Sequence, residues 1–152
     1  MAYRYPTRSR EERREAFKVV IDTNFIVQLG EGSITLGMLE DALVSRYELI
    51  VPASVLDEAR RLFGMTGKTI SRKVVKGLEI IERKGFSIAE HSRSLSADKA
   101  VIEVAYRLKK DGKRVVVATS DREVRRVLRK IGVPTVYLRE SKGLLEVDWL
   151  PP

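Results

Sequence analysis

The stretch Val19–Val27, VVIDTNFIV, decides the fold. Three apolar residues lead to Asp22, two small polar residues follow, and apolar character then resumes. Two further segments have the same build, ELIVP at 48–52 and RVVVAT at 114–119. Short, continuous apolar runs are what parallel strands look like when both faces of the sheet are covered. Working outward, the apolar patterning predicts strands at 18–22, 48–51, 86–88, 114–119 and 134–138, and helices at 35–46, 53–63, 69–84, 97–111 and 122–131. Strands alternating with helices imply right-handed crossovers and a three-layer α/β/α sandwich.

The chain has 152 residues, enough for one domain with a substantial core. Residues 1–17 read as a separate basic arm, with Arg4, Arg8, Arg10, Arg13 and Arg14 around Tyr3 and Tyr5. A short helix capped by Ser9, with Glu12 three residues on, is expected within it. Residues 18–152 form the domain proper. There is no cysteine, which excludes disulfides and thiolate chemistry and suits a reducing cytoplasm. His91 is the only histidine, so a Cys/His zinc site is excluded; in the polar loop AEHSRS it reads as a surface residue. No apolar run approaches the length of a bilayer span, so no membrane association is expected. With 29 basic and 21 acidic side chains the net charge is +8, which favours a polyanionic partner.

GMTGKT, Gly64–Thr69, imitates a phosphate-binding loop but has Leu62 where the motif requires its first glycine, and it follows a helix instead of a strand. It reads as an interhelical turn. The acids are more informative. Ligands of an open parallel sheet bind beyond the carboxyl ends of its strands. Asp22 and Asp121 both stand at such ends, although either could be a helix cap. Glu58 lies on the apolar face of its helix with Val55 and Leu62, whereas Asp57 aligns with Arg60 and Arg61. Asp98 shares a row with Val101, Ile102 and Ala105, where Ser96 as a cap offers a plainer reading. Taken together, four carboxylates in one cleft repel, and a cation must neutralise them. Mg²⁺ or Mn²⁺, which take oxygen ligands, are the natural choice.

The helix after Asp121 adds a substrate face. Val124, Val127, Leu128 and Ile131 form one row, expected to pack on the sheet. Arg122, Arg125, Arg126 and Arg129 form the opposite row and, with Lys130, are candidates for binding phosphates. Lys68, Arg72, Lys73 and Lys76 make a second basic region.

The segments VVIDTNFIV, PASVLDEARRL, SADKAVIEVA and VVVATSDREVRRVLRKIGVPTVYLRE resemble, in that order, the PIN-domain nucleases. The segment SDREVRRVLRKIGVP is most similar to the ribosomal-RNA-processing branch and its archaeal members. The resemblance implies about five parallel strands in the order 3-2-1-4-5. It also implies that Asp22, Glu58, Asp98 and Asp121 are catalytic and bind one or two divalent cations. Asn24 and Thr119 match the polar residues that support those ligands. Glu123 stands where the family often has a further aspartate, and is left outside the core set. The activity implied is a metal-dependent endoribonuclease acting on ribosomal RNA or a pre-ribosome, with a homodimer as a common state. Two alternatives stay open: a toxin-type ribonuclease governed by an antitoxin protein, and a catalytically weak RNA-binding assembly factor.

Overall fold

The computed structural model describes residues 16–64, 68–93 and 95–149. The expected helix after Ser9 and the centre of the Gly64–Thr69 turn lie outside them. Strands β1 (Phe17–Ile21), β2 (Tyr47–Pro52), β3 (Phe86–Ala89), β4 (Val115–Ala118) and β5 (Thr135–Arg139) are parallel and lie in the order β3-β2-β1-β4-β5. A sixth strand, β6 (Leu144–Asp148), extends the sheet antiparallel to β5. Helices cover both faces. Val19, Val20, Ile21, Val116 and Val117 are fully buried, as the unbroken apolar runs predict.

Two elements are not expected from the sequence, and a third is shorter than expected. The first is helix α1 (Thr23–Glu31), which starts immediately after Asp22 with no loop between. The apolar NFIV belongs to this helix and buries Phe25, Ile26 and Leu29. Helix α2 (Leu36–Leu43) is shorter than predicted and ends where Val44 turns left-handed. Helices α3 (Ala53–Phe63), α4 (Lys68–Lys84), α5 (Ala97–Lys110) and α6 (Arg122–Lys130) follow the predicted ranges closely. The second departure is β6. Its residues after the Glu140–Gly143 turn are only half-buried, so no continuous apolar run marks them.

Helices α1 and α4 touch backbone to backbone. A Cβ on Gly30 would lie 1.7 Å from the Lys73 carbonyl oxygen, and one on Gly77 would lie 2.0 Å from the Ile26 carbonyl oxygen. Only glycine fits either position. The Lys73–Glu31 ion pair, at 2.8 Å, closes the same crossing. The helix that begins at Asp22 is thereby fixed from behind.

Candidate active site

The site begins with a register. Parallel pairing sets Ile21 beside Ala118, so the chains leave the sheet together as Asp22 and Thr119. Asp22 is 8% exposed and Thr119 is 2% exposed. The Asp22 Oδ1 accepts the Phe25 N–H at 2.8 Å and caps α1. The Thr119 side chain hydrogen-bonds the Asp22 carboxyl, and its Oγ1 accepts the Asp121 N–H at 3.2 Å. Asp121 in turn caps α6, its Oδ1 accepting from Glu123 N at 2.9 Å and Val124 N at 3.3 Å. One buried hydroxyl thus connects the two strand-end acids.

Helices contribute the other two acids. Helix α3 starts directly at the end of β2 and buries Val55, Leu56 and Ala59, which turns Glu58 inward along the same face. Glu58 Oε1 accepts a hydrogen bond from the Thr23 hydroxyl. Its nearest cation is Arg61, 3.9 Å away and largely solvated. Asp98 lies in the first turn of α5, where Ser96 Oγ accepts the Lys99 N–H at 3.4 Å.

The acids sense one another. Burial, more than any other cause, pushes the Asp22 carboxyl up to about 6; Thr119 and the Phe25 N–H oppose this, and the charges of Asp98 and Asp121 add to it. Asp98 is raised by partial desolvation first, then by Asp121 and Glu58. Asp98 is exposed overall, yet partial desolvation and, after it, its like-charged neighbours set it apart from an ordinary surface acid.

The donors are carboxylate oxygens only, which a hard divalent cation takes. Neutralising them would relieve the repulsion that raises Asp22 and Asp98. Among the described residues, however, no three acids stand close enough together to hold one ion. Three of the four have another partner in this arrangement: Asp22 and Asp121 hold helix amides, and Glu58 holds Thr23. The set fits such an ion in the chemistry of its donors.

Thr23 is the site residue that sequence reading passes over. It is buried and bonded to Glu58, whereas its neighbour Asn24 is exposed. The signal was available, since a hydroxyl at the first helical position after a capping acid faces the same strand end. Glu123 is exposed and pairs with Arg126 at 3.0 Å.

The basic row divides. Arg122, Arg126 and Lys130 are exposed. Arg125 stacks on the Tyr137 ring, 3.7 Å from its centroid, and its Nε donates to Thr135 Oγ1 at 3.4 Å. Arg129 Nη2 donates to both carboxylate oxygens of Asp148, at 2.6 and 2.7 Å. Strand β6 therefore supplies a counter-charge that the row itself does not reveal. In the apolar row Val124 and Leu128 are buried, but Val127 is 39% exposed. A helix this short turns only two of those positions fully onto the sheet. In the second basic region, Lys73 is engaged by Glu31.

Comparison with known proteins gives a consistent picture. The PIN-like domain family matches residues 19–141. A curated relative, Ribonuclease VapC4 of Methanocaldococcus jannaschii, is 25% identical over 127 residues, covering 83% of this chain and 93% of that protein. The solved structure of the PIN domain endonuclease Utp24 superposes with a TM-score of 0.68 at 24% identity, covering 88% of this chain and 92% of the other. A domain of a functionally unknown protein from Methanocaldococcus jannaschii superposes with a TM-score of 0.56 at 17% identity, over 82% and 92% of the two chains.

Proposed function

The chain belongs to the PIN-like domain family, and from that premise we propose that it is a divalent-metal-dependent endoribonuclease of the cytoplasm that processes ribosomal RNA. The observation that carries the reading is geometric: the paired ends of β1 and β4 release Asp22 and Asp121 side by side, and the helices carrying Glu58 and Asp98 bring two more carboxylates to the same edge of the sheet. Carboxylates gathered at one edge repel one another, and a bound cation relieves that repulsion.

Asp22, Asp98 and Asp121 would hold Mg²⁺ or Mn²⁺, with Glu58 as a fourth donor. When bound, such an ion lowers the pKa of water and offsets charge on the phosphoryl oxygens. The remaining work falls to the chain itself. Thr119 and the Phe25 N–H keep Asp22 in a single orientation. Thr23 fixes one oxygen of Glu58 and leaves the other to orient a water or the substrate. Arg122, at the first position of α6 beside Asp121, together with Arg126 and Lys130, offers exposed charge for backbone phosphates.

The ribosomal assignment is supported by the arginine-rich residues 1–17 and by SDREVRRVLRKIGVP. A toxin-type ribonuclease, paired with an antitoxin protein, is the second reading, and the relative named Ribonuclease VapC4 favours it. A second copy of the chain is a further expected partner under either. Incubation with structured and single-stranded RNA, with Mn²⁺ or with chelator, tests the common core. Cleavage should require the metal and should disappear in Asp22→Asn. Equal cleavage by the variant, or in chelator, would sink the reading. Growth arrest on expression, relieved by a neighbouring gene product, would select the toxin.

A further inference from the structure

His91 stands outside the acidic cleft, in the loop between β3 and α5. It is half-buried and not the free surface residue that its polar surroundings suggest. Its Nε2 lies 2.9 Å from the Ser54 N–H, a donor, so that nitrogen must carry a lone pair. The proton therefore sits on Nδ1, which donates to the Ser92 carbonyl oxygen at 2.9 Å. Ser54 is the second residue of α3, a helix whose N-cap position is Pro52 and has no side-chain cap bond. Helix starts leave amides without partners, and here an imidazole from a different element supplies one.

Ser54 bonds back to the same loop, its Oγ donating to the Leu95 carbonyl oxygen at 3.0 Å. On the other side, α5 grips the loop. Glu103 Oε2 accepts the Ser92 N–H at 2.8 Å, and Arg107 donates to the Glu90 carbonyl oxygen. Glu58 is one helical turn beyond Ser54, on the same face. Asp98 is three residues beyond Leu95. The two ends of this brace are thus the starts of the two helices that carry Glu58 and Asp98.

We propose that His91 is a positioning residue: its neutral imidazole joins the start of α3 to the loop entering α5 and so sets Glu58 against Asp98. This rests on the nuclease reading above. Glu58 and Asp98 belong to two different helices, so their spacing depends on how those helices are held together. A misplacement of about 1 Å in such a site costs on the order of a hundredfold in rate.

The full chain is compared with His91→Leu, which cannot accept the Ser54 N–H, and with His91→Gln, whose Oε1 reaches roughly where Nε2 lies. RNA cleavage with Mn²⁺ is measured well below the melting midpoints, beside hydrogen exchange at the Ser54 amide. His91→Leu should lower kcat about tenfold or more at unchanged KM, and His91→Gln should recover most of it. The Ser54 amide should exchange faster in the leucine variant alone. If the leucine variant fails to fold, His91→Asn takes its place, being polar but too short to reach Ser54. Wild-type kcat in the leucine variant, or no recovery in the glutamine variant, overturns the proposal while leaving the nuclease reading intact. Wild type that cleaves no RNA overturns both, and the exchange data then report the brace by itself.

Discussion

Thr23 donates its hydroxyl hydrogen to Glu58 across 35 positions of sequence, tying the residue beside one acid to another acid. Because Thr23 is buried, valine would fill the same space and leave Glu58 without its donor. Thr23→Val should therefore lower RNA cleavage by about tenfold or more, while a hydrogen bond to a charged group is worth only about 1.5–3 kcal/mol of stability. Thr23→Ser should behave like wild type. Kinetics beside thermal melts measure both, and unchanged cleavage in the valine variant would remove Glu58 orientation from the mechanism.

The proton affinity of Asp22 makes stability depend on pH in a defined sense. Burial, followed by the charges of Asp98 and Asp121, raises its pKa from 3.8 to about 6. The folded state binds the proton more tightly than the unfolded chain, so this contribution is complete below about pH 3.8 and lost as pH rises through about 6. Above that range an ionised Asp22 costs the metal-free fold on the order of 3 kcal/mol. Asparagine still caps a helix. Asp22→Asn should therefore be the more stable protein at neutral pH without metal, and should lose that advantage by about pH 4. Urea unfolding at the two pH values measures it. Divalent metal should stabilise wild type by mass action and the variant far less.

The arginines of α6 should separate by function. Arg122→Ala with Arg126→Ala should weaken RNA binding and reduce the slope of log affinity against log salt by about one to two. Arg129→Ala should act mainly on the fold, because Asp148 already holds that guanidinium. Its side chain is half exposed, so the loss is under ~1 kcal/mol. Filter binding across a salt series, set beside melting curves, distinguishes the two kinds of arginine.

Gly77→Ala tests the helix crossing. Alanine gains up to about 1 kcal/mol in helix propensity. Against this, its Cβ would lie 2.0 Å from a backbone oxygen that no side-chain rotation can move. Overpacking of this kind costs about 1–3 kcal/mol, so the variant should melt lower than wild type. A higher midpoint would mean that α1 and α4 separate easily.

The parallel core was legible because β1, β2 and β4 are buried on both faces, so their apolar runs need no partner to be recognised. Glu58 was legible as a carboxylate on an apolar helix face; Asp98 shares such a row in the sequence, yet it is exposed at the start of α5. Helix α1 was not legible, since NFIV after a strand continues its apolar character. Gly30, within that helix, is required only by a crossing with Gly77 in a distant element. Strand β6 was hidden for a related reason: being half-exposed and antiparallel at the edge, it carries no continuous run. The roles of Arg125 and Arg129 depend on Tyr137 and Asp148, which come close only once β5 and β6 pair. Thr23 escaped notice and His91 read as a surface residue because each acts through a bond to a residue far away in sequence.

The pairing of Ile21 with Ala118 joins the beginning of the sheet to its late part. Contacts so distant in sequence form late, after the chain between them has been ordered. A chain emerging during synthesis carries Asp22, Glu58 and Asp98 long before β4 is added. Until then it lacks Asp121 and also Thr119, whose hydroxyl holds two of the acids in place. A nascent chain beside the RNA of the ribosome making it therefore has no assembled cleft. The last acid to be translated arrives together with the strand that seats it.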